Sequence, residues 1–431
     1  MKLSKFSHPR DQIVTFMQRL YDYGLTTTSG GNLSILDDNG DMWISPSSVD
    51  KGALRREDIM CVKADGSIEG MHRPSVEYPF HRAIYRIRPD VKAILHAHPP
   101  MLVAYSLAGV IPDTAILPNL RTTCGEVGFA GYAVPGSEEL GKKLAAEFQR
   151  GCDTILLENH GACTAGLTLL EAFQRFETLD FGARILNNGS QIGTPRQLSK
   201  AQVEVAMLDR NCNFREFTPV SHCSRELELR RQLAMLVRRA YDQTLFNSTT
   251  GTFAARLDDK RFLITPHHCD RAAVEPEDFV LVDGDCYEAG KLLSRNAWFC
   301  RELFRLQPEL NAVIFAQPPS IMAYGVTGIP FDAKTIPESY ILLRDMPMLK
   351  FDARYQDAET VCRTLSPRDP VILIENDCLI TTGKTPLEAF DRLEVADYSA
   401  RAVLAARFVG SVRPINTAQV AEIVEAFKLI P

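Results

Sequence analysis

The sequence predicts an α/β protein built from two tandem copies of one domain. Three observations support this prediction. Helical and strand-like hydrophobic patterns alternate along the chain. The same order of patterns starts again after a polar, proline-containing stretch at residues 191–221. The chain also has 431 residues, which exceeds what one ordinary hydrophobic core organises and suits two domains.

The first half of the chain shows these elements in order. Apolar residues at helical spacing predict helices over residues 11–25, 78–87, 137–150 and 168–187. Short apolar runs bounded by turn residues predict strands over residues 42–44, 59–63, 91–98 and 154–158. A turn over residues 37–40 predicts a hairpin before the first of these strands.

An internal repeat indicates that the second half is a copy of the first. Segments of the first half recur about 220 residues later, in the same order and with several identical residues. The matched segments are 20–25 with 240–245, 44–46 with 264–266, 97–100 with 316–319, and 158–160 with 375–377. We therefore place a domain boundary near residue 215, which gives domains 1–215 and 216–431.

Composition excludes several classes of function. A net charge of −6 shows no nucleic-acid footprint. No apolar run approaches the length of about 18 residues that spans a membrane. The first twelve residues contain no apolar core of a signal peptide. The eleven cysteines include no CxxC pair and suit a reducing compartment, so we expect a cytoplasmic protein.

Two histidines mark the end of one predicted strand. His96 and His98 are two residues apart, and residues i and i+2 of a strand point to the same side. His160 follows another apolar strand, and Glu77 stands at the start of a predicted helix. Imidazole nitrogens and a carboxylate oxygen are ligands that a zinc-like ion takes. The pattern therefore predicts a divalent-metal site.

The second copy lacks every one of these candidate ligands. Each is replaced at the matching position: His96 by Phe315, His98 by Gln317, His160 by Asp377, and Glu77 by Asn296. The residues shared by the two copies are mostly prolines, turn residues and helix faces. We infer that the first copy keeps a metal site and that the second keeps only its scaffold.

Three loops of the first copy are rich in glycine and hydroxyl groups. Glycine lets backbone N–H groups converge on an anion, and serine and asparagine add neutral donors. The residues concerned are Ser29, Gly30, Gly31, Asn32, Ser47, Ser48 and Ser75. Together the loops favour a phosphate or carboxylate site, although each loop alone can be a plain turn. No P-loop or GxGxxG motif supports nucleotide binding.

Alternatives to this metal site stay open from the residues alone. His96 and His98 can be hydrogen-bonded core residues, although two histidines on one side bring much polar surface into a core. A hydrolytic zinc site is another alternative, although the chain has no HExxH motif. We interpret His81, which follows Glu77 on the same helix, as a packing or supporting residue rather than a ligand.

Taken together, these motifs resemble the class II aldolase/adducin family, which includes L-fuculose-phosphate aldolase and L-ribulose-5-phosphate 4-epimerase. The resemblance is carried by TSGGN at 28–32, SPSS at 45–48, PSVE at 74–77, HAHP at 96–99, PGSEEL at 135–140 and NHG at 159–161. It implies two tandem three-layer α/β/α domains, each with a mainly antiparallel central sheet, of which the second is degenerate. It also implies Zn²⁺, or another divalent cation such as Mn²⁺ or Co²⁺, on the three histidines and Glu77.

The resemblance further implies an enzyme of carbohydrate metabolism. The expected reaction is the lyase (aldolase) cleavage of a C–C bond of a small sugar phosphate through a metal-stabilised enediolate, with Glu77 as acid/base and Asn32, Ser47, Ser48 and Ser75 in the phosphate pocket. Epimerase, dehydratase and decarboxylase activities are alternatives. Val76 stands where the family's aldolases have a second serine, which leaves room for a sugar acid.

A different class of function is that of a non-catalytic, adducin-like assembly protein. Loss of the histidines would indicate this class, and it describes the second copy but not the first. The resemblance also implies a homo-oligomer, because family members form fourfold rings with sites between subunits. Two chains with two copies each would form a pseudo-fourfold ring, and a tetramer is the alternative.

Overall fold

The computed structural model describes residues 8–429. The expectation that the first twelve residues contain no signal peptide therefore falls mostly outside the described residues. The described chain forms two compact units. The first contains residues 8–114 and 119–183, and the second contains residues 115–118 and 184–429. The domain boundary placed near residue 215 stays a prediction.

The first half of the chain contains every helix and strand predicted for it, with ends within three residues of those expected. The elements are α1 (Pro9–Asp22), β1 (Asn32–Leu36), β2 (Met42–Ile44), β3 (Met60–Val62), β4 (Ile68–Glu69), α2 (Tyr78–Ile87), β5 (Ala93–Ala97), α3 (Pro100–Ala108), α4 (Pro118–Cys124), β6 (Val127–Ala130), α5 (Glu138–Gln149), β7 (Thr154–Leu157), β8 (Gly161–Gly166) and α6 (Leu169–Ser190).

The strands of the first unit form one eight-stranded sheet in the order β4-β3-β2-β1-β5-β8-β7-β6. All neighbouring strands run antiparallel except β6 and β7. Asn32 of β1 lies opposite His96 of β5, and His96 lies opposite Cys163 of β8. The predicted mainly antiparallel sheet is confirmed, and its central strands carry the candidate site.

Helices cover both faces of this sheet. Phe80 and Ile84 of α2 and Leu144 and Phe148 of α5 are buried in one cluster with strand residues. Helices α1 and α6 lie outside that cluster and meet through Phe16 and Phe173, whose ring centroids are 5.1 Å apart. Burying a side chain of this size contributes about 1.5–3 kcal/mol. The two helix layers therefore fix the sheet that positions the site.

The second unit contains a counterpart of each of these elements and four further ones. Its helices and strands are α7 (Lys200–Met207), β9 (Arg215–Phe217), α8 (Ser224–Asp242), β10 (Thr252–Arg256), β11 (Arg261–Ile264), β12 (Val280–Asp283), β13 (Cys286–Glu288), α9 (Ala297–Leu306), β14 (Ala312–Ala316), α10 (Pro319–Thr327), α11 (Pro337–Leu343), β15 (Met348–Leu349), α12 (Phe351–Gln356), α13 (Ala358–Thr364), β16 (Val371–Ile374), β17 (Leu379–Gly383), α14 (Pro386–Val409) and α15 (Thr417–Ala426).

The second sheet has the order β15-β16-β17-β14-β10-β11-β12-β13-β9, which is the first sheet's order with β9 added at one edge. Its register is also the same, since Thr252 lies opposite Phe315 where Asn32 lies opposite His96. The duplication is therefore confirmed in strand order and register. No helix within residues 8–429 is long and apolar enough to cross a membrane.

Candidate metal centre

His96 and His98 meet at the end of β5, as their spacing predicts. Pro99 and Pro100 stop the strand, and Pro100 begins α3, where its missing N–H costs nothing. The Nε2 atoms of His96 and His98 are 3.0 Å apart. The Nδ1–H of His96 faces the carbonyl oxygen of Ala162 at 2.9 Å, which turns Nε2 toward the site.

His160 reaches the same point from the turn between β7 and β8. Asn159 precedes it with a φ of +54°, a left-handed conformation that asparagine tolerates better than most residues. The ring centroid of His160 is 4.7 Å from that of His96 and 5.0 Å from that of His98. At Gly161, a Cβ atom would lie 2.6 Å from the carbonyl oxygen of Ala97, so only glycine lets the turn approach β5 this closely.

Glu77 is the residue that precedes α2, and it is buried beside the histidines. Its Oε2 is 3.3 Å from Nε2 of His96, and its Oε1 is 3.6 Å from Nε2 of His160. Oε2 also accepts a hydrogen bond of 2.7 Å from Nδ2 of Asn32. Oε1 is buried and has no hydrogen-bond partner within residues 8–429, so it is left for a ligand or a proton.

The three imidazoles form a group that could hold a metal ion, because their nitrogens lie within 4.8 Å of one another. Burial and the neighbouring His160 lower the pKa of His96 to about 3. Burial and the other two imidazoles lower the pKa of His98 to about 3, and burial lowers the pKa of His160. The rings are therefore neutral at pH 7, which is the form that ligates metal.

Glu77 stands at one end of a chain of hydrogen bonds that reaches into α2. Asn32 Oδ1 faces Nε2 of His81 at 2.6 Å, and Nδ1 of His81 faces the hydroxyl of Ser34 at 2.6 Å. That hydroxyl lies 2.8 Å from the hydroxyl of Tyr85. Burial holds the pKa of His81 well below its ordinary value. His81 thus supports Asn32 rather than facing the histidine cluster as a ligand, which agrees with its interpretation from the sequence.

The sequence reasoning did not identify Ser34 and Tyr85 as parts of this chain. A signal was present, because residues 77, 81 and 85 are spaced for one face of α2. The second copy gives a further signal, since the hydrogen bonds beyond the position of Asn32 have no counterpart there, although Asn296 still donates to Thr252. Ala254, Cys300 and Phe304 stand at the positions matching Ser34, His81 and Tyr85.

The hydroxyl-rich loops pack next to this centre or next to one another. At Gly30, a Cβ atom would lie 2.9 Å from Nδ1 of His98, so this loop lies against the histidines. The buried hydroxyl of Ser75 accepts a hydrogen bond from the N–H of Glu77 at 3.3 Å. Asn32 is predicted for the phosphate pocket. Its side-chain nitrogen donates to Glu77, and its side-chain oxygen faces His81.

The other predicted loop residues are more exposed. The hydroxyls of Ser47 and Ser48 are 3.4 Å apart, and the N–H of Ser47 bonds to the carbonyl of Arg73. Ser29 is exposed at the surface, whereas Gly31 is buried against the backbone of His96. The structure thus joins the loops at 45–48 and 73–75, and joins the loop at 30–32 to the histidines.

Lys51 is a buried cation next to the 45–48 loop, and sequence reasoning did not identify it. It is 2% exposed, and its ammonium group donates to the carbonyl oxygen of Pro46. It makes no ion pair among the described residues. Burial lowers the pKa of Lys51 to about 8.

Comparison with known proteins identifies the family. The family model described as "Class II Aldolase and Adducin N-terminal domain" matches residues 11–186 and again residues 231–404. The chain belongs to the class II aldolase/adducin family. Both copies are recognised, including the one that has lost the candidate ligands.

Curated relatives in this family are enzymes, and they match about half of the chain. A 5-deoxy-D-ribulose 1-phosphate aldolase of Bacillus thuringiensis serovar kurstaki is 32% identical over 205 residues, which are 45% of this chain and 92% of that protein. A 3-oxo-tetronate 4-phosphate decarboxylase of Pectobacterium atrosepticum is 34% identical over 188 residues, which are 43% of this chain and 86% of that protein. Among solved structures, YgbL of Escherichia coli is 28% identical, with a TM-score of 0.43 over 45% of this chain and 95% of its own.

Proposed function

We propose that the protein is a divalent-metal-dependent lyase that cleaves a C–C bond of a small sugar phosphate. One observation carries the proposal: three neutral imidazoles converge with a buried carboxylate whose Oε1 has no hydrogen-bond partner among the described residues. An unpartnered buried carboxylate oxygen is costly unless an ion or a proton completes it.

The donor set suits a zinc-like ion. His96, His98 and His160 would supply three nitrogens and Glu77 an oxygen, which is the number of ligands that Zn²⁺ prefers, and Mn²⁺ or Co²⁺ are alternatives with the same ligand types. When bound, the ion would polarise a ketone and stabilise the charge of the enediolate left after C–C cleavage.

Glu77 is proposed as both ligand and acid/base. Its Oε2 is fixed by Asn32, so Oε1 is the atom that takes and returns the proton. The chain through His81 holds Asn32 in place, which keeps the carboxylate from rotating. The loops with Ser29, Gly30, Gly31, Ser47, Ser48 and Ser75 are proposed to receive the substrate's phosphate.

Decarboxylation is the second candidate reaction. A relative of this family carries that name, and its match to this chain is as strong as that of the aldolase. Loss of carbon dioxide from a 3-oxo acid also leaves an enolate-type charge, so the same residues would serve. Val76 is an exposed apolar residue beside Glu77, and its side chain cannot donate a hydrogen bond to a phosphate. This supports a substrate that carries a different group, such as a carboxylate, at that point.

Three further proposals concern the setting of this activity. The metal site belongs to the domain of residues 1–215, and residues 216–431 are the degenerate domain. The protein works in the cytoplasm as a homo-oligomer, either a dimer of duplicated chains or a tetramer. The net charge of −6 and the enzymatic relatives support a small-molecule substrate rather than nucleic acid.

The deciding experiment measures metal content and turnover of the same purified protein. We expect about one divalent ion per chain, and turnover of at least one substrate in a panel of ketose phosphates, 3-oxo acid phosphates and unphosphorylated sugar acids. His98→Ala should lower metal content at least tenfold, because it removes one of the ligands.

His72→Ala is the matched control, because His72 pairs with Asp58 outside the cluster. It should keep both metal and turnover. Wild-type protein that takes up no divalent ion when supplied with one, or a His98→Ala variant that keeps its metal, would overturn the proposal.

A further inference from the structure

The second copy retains the three loops that surround the first copy's centre, and it holds them together through a buried arginine. Arg271 stands at the position of Lys51 and donates to the carbonyl oxygens of Gly251 at 2.9 Å and Pro266 at 3.2 Å. The N–H of His267 bonds to the carbonyl of Leu292 at 2.9 Å, just as Ser47 bonds to Arg73 in the first copy. The loops therefore form a cradle at 250–252, 266–268 and 292–295.

The backbone of this cradle also keeps the unusual conformations of the first copy. His268 has a φ of +52°, and Ser48 at the matching position has +57°. Gly251 and Gly31 both have positive φ, at +104° and +72°. Histidine is among the non-glycine residues that adopt the left-handed region most often, so the substitution at 268 is compatible with the turn that Ser48 makes in the first copy.

The side chains of the cradle have changed from neutral to basic. His267 and His268 replace Ser47 and Ser48, and Arg295 replaces Val76. The rings of His267 and His268 are 3.8 Å apart. Burial, then His268, Arg295 and Arg271, lower the pKa of His267 to about 4, and no carboxylate opposes them. His267 is therefore neutral at pH 7, and the charge that the second copy adds is that of Arg295, since Lys51 already matches Arg271 in the first copy.

The cation at its centre lacks an anionic partner. Arg295 is half-buried, and its recorded hydrogen bond is to the thioether sulfur of Met207, at 2.8 Å. It forms no ion pair within residues 8–429, and neither does Arg271. A guanidinium has five N–H donors, and a thioether is a weak acceptor. Most donors of Arg295 are thus available to an acceptor that the protein itself does not supply.

A third arginine lies among the residues that match the metal-site residues of the first copy. Arg354 of α12 is ion-paired with Asp377 at 2.5 Å and bonded to Oδ1 of Asn296. Asp377 and Asn296 stand at the positions of His160 and Glu77. Asp377 and Arg354 therefore act on Arg295 in opposite directions, since burial and Arg354 lower the pKa of Arg295 and Asp377 raises it. The second copy thus carries its own fixed cation and needs no metal.

We propose that the second copy is a metal-free binding site for a phosphate group, either inorganic phosphate or a small phosphate monoester. Arg295 supplies the charge-assisted hydrogen bonds, His267 and His268 add ring N–H donors, and the glycine-containing loop adds backbone N–H groups. Phosphate fits better than a planar carboxylate, because it presents more acceptor oxygens and can accept from Arg295 and from the adjacent rings of His267 and His268 together. This site goes beyond the proposed lyase activity and stands independently of it.

The test uses inorganic phosphate and a pair of equivalent substitutions in the full chain. Ser48→Asp places a carboxylate in the first copy's loops, and His268→Asp places one at the matching position of the second copy. Aspartate tolerates the positive φ at both positions, and both side chains are exposed, so both variants should fold. We expect calorimetric titration with inorganic phosphate to show binding in Ser48→Asp and no binding in the variant that combines Ser48→Asp with His268→Asp.

Arg295→Gln in the Ser48→Asp background should weaken phosphate binding roughly tenfold or more, because a charged hydrogen-bond partner is lost. Arg231→Gln, at an exposed position of α8 in the same unit, removes the same charge and should leave the affinity unchanged. The proposal is overturned if Ser48→Asp binds no phosphate, or if Arg295→Gln binds it as tightly as its parent. Neither result bears on metal content or turnover.

Discussion

Single side chains fix the orientation of Glu77. Its Oε2 is bonded to Asn32, Asn32 to His81, and His81 to Ser34. All of these atoms are buried, so each hydrogen bond is one that water cannot replace. A substitution at His81 should therefore alter the orientation of Glu77, to which His81 is linked by two hydrogen bonds through Asn32.

His81→Leu is expected to destabilise the protein by about 1–3 kcal/mol, because it leaves the buried Oδ1 of Asn32 without a partner. It should also lower kcat more than it raises KM. Urea denaturation and steady-state kinetics measure the two effects. Tyr85→Phe is the control, since it removes only the hydroxyl at the far end of the chain and should cost about 1 kcal/mol. Equal effects of the two substitutions on kcat would contradict the proposal that His81 orients Glu77 through Asn32.

Lys51 gives a prediction about pH. Its pKa is lowered to about 8 from an ordinary 10.5. Below pH 8 the folded protein bears the cost of a buried charge, and between pH 8 and 10.5 it releases the proton before the unfolded chain does, so stability rises. Lys51→Met removes that cost. Its stability relative to wild type should therefore be greatest at pH 7 and fall by about 2–3 kcal/mol toward pH 10.

The measurement for Lys51→Met is urea denaturation at pH 7 and pH 10, with wild type alongside at each pH. Lys63→Met is the matched control, because Lys63 is paired with Asp41 and its pKa is raised rather than lowered. A stability difference for Lys51→Met that does not change with pH would show that the ammonium group is not buried as described.

At the scale of elements, glycines set how closely the loops approach the site strands. Gly31 leads into β1 with a φ of +72°, and a Cβ there would lie 2.9 Å from the carbonyl oxygen of His96. Gly24 has a similar φ of +65°, but no atom lies within 4 Å of its Cβ position. Comparing alanine substitutions at Gly24 and Gly31 therefore separates the cost of backbone strain, present at both positions, from the cost of steric crowding, present only at Gly31.

Gly24→Ala should cost about 1–2 kcal/mol through backbone strain alone. Gly31→Ala should cost more, because a backbone carbonyl in a central strand cannot move aside, and it should also reduce metal content. Urea denaturation and metal analysis of both variants measure this. Equal costs at the two positions would mean that β5 yields to the added methyl group.

The helices and strands of the first copy were largely predictable from sequence, and so was the pairing of His96 and His98 at the end of β5. Period-2 and period-3.6 patterns depend on local burial, so helices such as 78–87 and the histidine pair of β5 were found directly. Ser34 and Tyr85 were missed, because their contact depends on α2 packing over β1. The insertion of Arg354 was also missed, because α12 has no helical counterpart between β6 and α5.

At the scale of the whole molecule, the two units should depend differently on metal. A ligand stabilises only the state that binds it, and Arg354 already serves the second unit as a built-in cation. Removing metal with EDTA should raise hydrogen exchange over residues 93–98 and 157–162. The matching segments 312–317 and 374–379 should change little and provide the internal control. An equal response of both pairs would contradict the difference between the copies.

Assembly is the second prediction at this scale. Sedimentation velocity should give a mass two or four times the 48.1 kDa of one chain. The duplicated domain would then provide a second family unit in each subunit of a ring. A stable monomer at micromolar concentration would contradict the proposed homo-oligomer.

The ion pair between Arg354 and Asp377 opposes the formation of a metal site in the second copy. Introducing histidine at 377 alone would leave the guanidinium of Arg354 buried without its partner, and replacing Arg354 alone would leave Asp377 buried without its partner. Either half-step costs about 3–5 kcal/mol, a large part of a domain's stability. The matching turn at Asn376, with its φ of +52°, is still in place. A metal site in the second copy is therefore opposed by electrostatics rather than by backbone geometry, and it would require substitution of both residues.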